Sequence, residues 1–401
     1  MTLPNVVVTG MGIVTSIGWS PEEVQESILN KRCGFRGISC LDSPLFKGTL
    51  AGEVLGDPAA KSGLAEGSRS DHLALYAARQ AFVAAGLEGL TEDVKAEIGI
   101  ALGITTGGLS TTEVYLDQLL TEGDSDIAQM RFHECSTPVA TISRELGLFG
   151  IQTSVSNACA SSANALALGR EFIQSGEAEV VLAGGVDSLS RLTVNGFNSL
   201  LVYDPDGCRP FDENRSGMTL GEGAGFVILE SEAHANARDA RTLAHFVGAG
   251  SSFDGFHITS PSPDGSAIHD AMSKALADAG RVPSDIDYIN AHGTGTLDND
   301  ASEGEAIQRL FDGDVPVVSS TKGYCGHTLA AAGAVESILC ILAMEHGVAP
   351  PNLGIENVDP AFRFDPIREP IETGLNTVMT NSIGFGGNNC SLIFENGDSN
   401  Q

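Results

Sequence analysis

One pattern appears twice in this chain, and it limits the possible folds more than any other feature. A short β-branched stretch, a tight loop and a helix built almost wholly from small residues span 153–169 (TSVSNACASSANALALG). The same succession returns at 316–343, where the strand PVVSST leads through a loop into a small-residue helix over 328–343. Two further echoes keep the same order. The stretch 5–18 (NVVVTGMGIVTSIG) reads as a buried strand entering a glycine loop, and 242–251 (TLAHFVGAGS) repeats it. Later in each half a glycine loop feeds an apolar strand, at 221–229 (GEGAGFVIL) and 384–394 (GFGGNNCSLIF). Internal self-similarity of this kind signals a duplicated architecture. It predicts two α/β halves, 1–241 and 242–401, whose small-residue helices face each other and whose loops share one site. Continuous apolar strands such as 178–185 (AEVVLAGG) suit a sheet covered on both faces.

The remaining segments fill in this outline. Ser20 caps a helix that Pro21 opens, and further helices are predicted over 71–86, 111–129, 137–146, 231–240 and 264–279. Segment 33–68 reads as irregular, and 187–218 as a long, mostly irregular connection. Gly10 and Gly12 hint at a dinucleotide loop, but the third glycine of that fingerprint is misplaced. The formal charge of −30 opposes general nucleic-acid binding and attachment to anionic membranes. The eight cysteines contain no C-x-x-C, so neither a zinc ribbon nor a redox dithiol is expected, and no metal or bound cofactor. No secretory leader is evident, and no apolar run approaches the length of a membrane span. A cytoplasmic protein with reduced thiols is the expectation.

Chemistry concentrates at the joint of the first repeat. Cys159 sits where the strand and loop meet the small-residue helix. An ordinary reading makes it a small buried hydrophobe. The functional reading uses the helix dipole and the free N–H groups of the first turn, which favour a thiolate. Pseudo-symmetry brings three more loops toward it: 290–296 (NAHGTGT), 320–327 (STKGYCGH) and 384–387 (GFGG). Two histidines, His292 and His327, stand at matching strand ends. A thiol with two imidazoles suits acyl transfer followed by carbanion formation. Loss of CO2 from a malonyl thioester yields an enolate, and two imidazole N–H donors aimed at its oxygen would stabilise it. Backbone N–H groups of Cys159 and Phe385 are natural donors to the acyl oxyanion.

Taken together, NACASSANAL, NAHGTGT, STKGYCGHTLAAAGAVES and GFGGNN resemble the β-ketoacyl-acyl carrier protein synthases with a Cys-His-His triad. The resemblance covers nearly the whole chain. It implies a thiolase-like duplicated fold of five α/β/α/β/α layers, and a dimer. By position it makes Cys159 the nucleophile, His292 and His327 the decarboxylation pair, and Lys322 the active-site lysine with Glu336 buried nearby. It makes Phe385 both oxyanion donor and gate of the acyl pocket. Thr294 and Thr296 fall where the family touches the phosphopantetheine arm. Asp300 and Glu303 fall behind the first histidine, although both also read as helix N-terminal charges. Arg69, Arg131 and Arg209 fall near positions that face an acidic acyl carrier protein, which delivers substrates on its 4'-phosphopantetheine arm.

The chain departs from the family in several places. Gly295 stands for the usual Ser, Leu297 for Pro, Tyr324-Cys325 for the more common Met-Thr, and Asn388-Asn389 for Thr-Asn. These changes, with 189–200 (LSRLTVNGFNSL), look more like ketosynthases of aryl-polyene or type II polyketide pathways than a housekeeping enzyme. The partner subunit is then either a copy of this chain or a ketosynthase-like chain-length factor. Two rivals remain: a coenzyme A-dependent thiolase, which needs a second reactive Cys, and a non-catalytic chain-length factor, which lacks the nucleophilic one.

Overall fold

The computed structural model describes residues 3–41 and 49–397. Ten strands carry the architecture: β1 (Val6–Val14), β2 (Gly99–Gly103), β3 (Gln152–Val155), β4 (Val180–Asp187), β5 (Gly223–Ser231), β6 (Ala244–Phe253), β7 (Tyr288–Asn290), β8 (Val317–Ser319), β9 (Thr377–Ile383) and β10 (Asn388–Asn396). They run in the spatial order β8-β7-β9-β10-β6-β1-β5-β4-β2-β3. Renumbered within its own set of five, each run of strands has the order 3-2-4-5-1. The senses match as well. In both sets the second strand is parallel to the third and fourth, and the fifth is antiparallel to both its neighbours. The two sets meet only where Val7 and Val8 pair with His245 and Ala244.

Four helices complete the layers: α1 (Arg69–Ala84), α2 (Ser161–Gln174), α3 (Ser266–Ala279) and α4 (Ala332–His346). The small-residue helices α2 and α4 lie between the two sets of strands, and each touches strands of both. Side chains of one or two carbons permit this. A Cβ on Gly333 of α4 would lie 2.7 Å from the Cβ of Ala163 in α2, and Ser162 Oγ accepts the Ala334 N–H at 2.9 Å. Helix α1 covers the outer face of β1 and β5, and α3 covers that of β6 and β10. The result is the five-layer, thiolase-like arrangement that the repeat and the resemblance predict.

Several local expectations are corrected. Gly10 and Gly12 lie inside β1, and Gly248 and Gly250 lie inside β6, with no glycine loop at either place. A Cβ at Gly10 or Gly12 would come within 2.4 or 2.1 Å of the Ala81 or Ala77 carbonyl oxygen of α1. At Gly248 or Gly250 it would come within 2.4 or 2.2 Å of the Ala275 or Ala271 oxygen of α3. Both glycine pairs therefore let an outer helix rest on the first strand of its set, as glycine does where another backbone comes close. Segment 187–218 is not wholly irregular, since Arg191–Ser199 forms a helix capped by Ser190. Residues 42–48 of the irregular stretch 33–68 lie outside the described residues; the rest includes the short helix Pro58–Ser62 and a two-strand pairing. Leu329–His346 is apolar and long enough for a membrane span by composition, with mean hydropathy 1.5, contrary to expectation. Of that stretch, 89% is buried inside the fold, which makes it a core helix.

Candidate active site

Cys159 is positioned by a strained turn. Ala158, just before it, has φ 54°, and Leu329 has φ 53° at the matching point, three residues before α4. Non-glycine residues rarely adopt this region, and such strain gathers at functional turns. Ser161 holds the turn closed: its Oγ accepts the Asn157 N–H at 2.9 Å and donates to the Ala158 carbonyl at 2.6 Å. The thiol is then buried at the head of α2, 5% exposed.

The two histidines converge on it. His292 follows β7 and His327 precedes α4; their rings cross edge to face at 87° with centroids 5.1 Å apart. The cysteine sulfur and one nitrogen of each ring all lie within 4.8 Å of one another. His292 is fixed from behind. Glu303 Oε1 accepts the His292 N–H and Oε2 the Gly293 N–H, both at 2.8 Å, and the Asn381 amide donates to Oε1 at 3.2 Å. Asp300 accepts the Gly295 N–H at 3.1 Å and the Phe211 N–H at 2.8 Å. Both carboxylates belong to the helix Leu297–Phe311, yet they organise the loop behind His292 and do more than charge a helix end. Lys322 Nζ lies 3.2 Å from His292 Nδ1 and forms a buried ion pair with Glu336. An ammonium donating to Nδ1 makes that nitrogen the acceptor and leaves the proton on Nε2. Neither ring nitrogen of His327 has a partner among the described residues.

The electrostatics differ from the sequence expectation. Burial pushes the Cys159 thiol up to about 11, although the Phe385 N–H and the Lys322 charge pull the other way. Desolvation therefore outweighs these pulls and favours a neutral thiol at rest. Burial, then Lys322, hold both imidazoles well below the ordinary histidine range, and His327 adds to this for His292. The resting centre is a thiol beside two neutral imidazoles, which can accept the thiol proton when an acyl group arrives. One consequence is measurable. Iodoacetamide alkylation of Cys159 should climb about tenfold per pH unit from about pH 7 to about pH 10. A plateau near neutrality would mean a preformed thiolate instead.

Two backbone donors that could serve an acyl oxyanion stand beside the sulfur. The backbone N–H groups of Phe385 and of Cys159 itself both approach the sulfur. The Phe385 ring, half-buried, rests against Phe197 at 5.5 Å. Phe197 belongs to the overlooked helix Arg191–Ser199, so sequence reasoning missed the surface that the ring leans on. A narrow pocket opens onto Cys159, His292, His327 and Phe385, and Thr294 and Thr296 line its walls. Met218, Asn299, Asn389 and the segment 257–261 line it as well; none of these was foreseen. Asp187 was also missed. It ends β4, is fully buried, and its oxygens accept N–H and O–H bonds from Thr105 and Thr106 and the Ala330 N–H at 3.0 Å. Its place at a strand end of the first repeat was the available signal.

The three arginines do not form one free patch. Arg69 is corrected outright: its Nε and Nη2 grip the carboxylate of Glu222 at 2.9 and 2.5 Å, and that carboxylate is fully buried. A buried acid held this way needs its cation, so Arg69 is an internal brace. Arg131 is half exposed and pairs with Glu66. Arg209 donates to the Asn214 carbonyl at 3.0 Å and lies 3.7 Å from Asp204. A thiolase would carry its second reactive Cys in a C-terminal glycine loop; Cys390, which follows the glycine loop here, is buried in β10 and does not line the pocket.

Comparison with known proteins agrees with this geometry. The pattern described as "Beta-ketoacyl synthase, N-terminal domain" matches residues 4–235, and "Beta-ketoacyl synthase, C-terminal domain" matches 243–356. The chain is 35% identical over 405 residues to 3-oxoacyl-[acyl-carrier-protein] synthase 2 of Coxiella burnetii, covering 97% of each. Among solved structures it is similar to the ishigamide ketosynthase/chain length factor, with TM-score 0.93 and 35% identity over 98% of this chain and 100% of that one. It is also similar to a type II PKS ketosynthase, solved with its acyl-carrier protein and bound to the hexaketide. There the TM-score is 0.90 and the identity 26%, over 98% of this chain and 100% of that one.

Proposed function

The chain belongs to the β-ketoacyl synthase family, and from that premise we propose how its own residues divide the work of a ketoacyl-ACP synthase, a condensing acyltransferase of fatty acid or polyketide elongation. Cys159 takes an acyl group from a carrier protein. Its thiol proton passes to a neighbouring imidazole as the sulfur attacks, the N–H groups of Cys159 and Phe385 receive the charge on the acyl oxygen, and the imidazole gives the proton to the carrier thiol as that sulfur leaves. A malonyl thioester then enters along the wall carrying Thr294 and Thr296. His292, its Nε2 proton set by Lys322, and His327 donate to the thioester oxygen as CO2 leaves. The enolate carbon attacks the acyl carbonyl, and the Cys159 sulfur departs with the β-ketoacyl product formed. Phe385 closes the acyl pocket. Glu303, Asp300 and Glu336 hold the loops and the lysine in register.

The single observation that carries this reading is the meeting of one sulfur and two imidazoles from distant segments within 4.8 Å. A chain-length factor without a nucleophile has no use for it. The division into halves at 241/242 is supported by the equal strand orders. Substrates travel on the phosphopantetheine arm of an acyl carrier protein, with Arg131 and Arg209 as its basic contacts, and no bound cofactor is required. The partner subunit is a second copy or a chain-length factor, and the compartment is the cytoplasm. Resemblance to the type II PKS ketosynthase favours a polyketide product. Incubation with acyl-carrier alone should place the acyl mass on the Cys159 peptide, and adding malonyl-carrier should release it as β-ketoacyl-carrier. Acyl mass on another cysteine, or none at all, would refute the assignment.

A further inference from the structure

We infer that Cys33 and Cys325 are a modification site: a pair of thiols that a hydroperoxide joins into a reversible disulfide, disabling the centre that Lys322 and His327 belong to. Cys33 is exposed and Cys325 is buried, 3% exposed. The Gly34 N–H donates to the Tyr324 carbonyl at 2.8 Å. The two peptide groups joined by that bond are the ones flanked by Cys33 and by Cys325. That bond sets the backbone at Cys33 beside the backbone at Cys325. A disulfide spans Cα separations of about 4.4–6.8 Å. The thiols also sense each other: burial pushes Cys325 up to about 12, and the nearby Cys208 and Cys33 add to it.

The pair sits on the turn that matters most. Cys325 ends the helix Lys322–Cys325, the Gly326 N–H closes back on the Lys322 carbonyl at 2.9 Å, and His327 follows. Packing leaves this turn little slack. A Cβ at Gly52 or Gly221 would lie 1.9 or 2.1 Å from the Cys325 carbonyl oxygen. A bond to Cys33 takes the Cys325 sulfur from its present place against the Gly326 carbonyl, 3.6 Å away, and so strains the turn that carries Lys322 and His327. Cys325 is also one of the residues where this chain departs from the family it resembles.

The chemistry balances with peroxide as the oxidant. The Cys33 thiol attacks one peroxide oxygen, the O–O bond breaks, and sulfenic acid and water result. The Cys325 thiol then attacks the sulfenic sulfur, its S–H proton leaves with the hydroxyl as a second water, and the S–S bond forms. Thiols such as dithiothreitol reverse it.

The test uses the intact protein treated with hydrogen peroxide and digested without reduction. The expected result is one cross-linked peptide pair joining Cys33 to Cys325, absent after dithiothreitol. Condensing activity and Cys159 alkylation should both fall by about 10²-fold, the scale of a misplaced active-site group, and recover on reduction. Cys33→Ser should keep basal activity and lose the sensitivity. The inference is overturned if Cys33 remains unlinked, if it links to Cys208, or if Cys33→Ser is inactivated like the parent. The cross-link is read by mass alone, so its absence is distinct from any failure of the condensing reaction.

Discussion

Cys159→Gln is expected to lose condensation by about 10⁴-fold or more while continuing to decarboxylate malonyl-carrier. The geometry separates the two steps. Condensation needs the sulfur, because the acyl group must rest on it while the second substrate enters. Decarboxylation needs only donors at the malonyl thioester oxygen, and His292 and His327 supply these from other segments. Glutamine occupies a similar volume to an acyl-cysteine stub, and its amide oxygen can accept the N–H groups of Cys159 and Phe385 that approach the sulfur. The pocket then resembles its acylated state, with both imidazoles undisturbed. The assay measures CO2 release and β-ketoacyl-carrier in parallel. Equal loss of both would mean that the thiol takes part in removing CO2, and the division of labour would fall.

Much of this arrangement was legible before any coordinates, and the failures have physical reasons. The repeated strand, loop and small-residue helix told of duplication because the constraint is local. A helix squeezed between two sheets must be made of Ala, Ser and Gly wherever it lies. The pairing of His292 with His327 followed from that symmetry. Gly10 and Gly12 were misread because a glycine announces only a missing Cβ. Whether that serves a turn or the approach of the Ala77 and Ala81 carbonyls depends on a helix about seventy residues away. The helix Arg191–Ser199 was missed because Asn195, Gly196 and Asn198 look like loop residues. Tertiary contacts override such weak local preferences. Arg69 was misplaced for a similar reason. Its partner Glu222 lies in a glycine-rich stretch, with nothing to mark it as a buried acid. The thiolate expectation for Cys159 rested on the helix terminus and left out what burying a charge costs, which is the largest influence on this thiol.

Lys322→Met carries the second large effect, and it divides structure from mechanism. The lysine does two things at once. Its ammonium neutralises Glu336, and it donates to His292 Nδ1 at 3.2 Å. Methionine keeps the volume and removes both. The Nε2 proton of His292 is then no longer enforced, and decarboxylation should drop by about 10²–10³-fold, the cost of one lost oriented donor. Stability should also fall, by about 3–5 kcal/mol, because the buried carboxylate loses its cation. That second loss depends on pH. Burial outweighs the pull of Lys322 and already raises Glu336 to about 7. A carboxyl raised above its unfolded value of about 4.3 supports the fold at low pH and withdraws that support as pH climbs through the folded value. Without Lys322 the folded value rises further, so the penalty should be slight near pH 5 and full near pH 8. Adding Glu336→Gln removes the charge. The double variant should regain thermal stability and lose its pH slope, yet decarboxylate as poorly as Lys322→Met alone. Recovery of decarboxylation together with stability would make Lys322 a brace for the fold and nothing more.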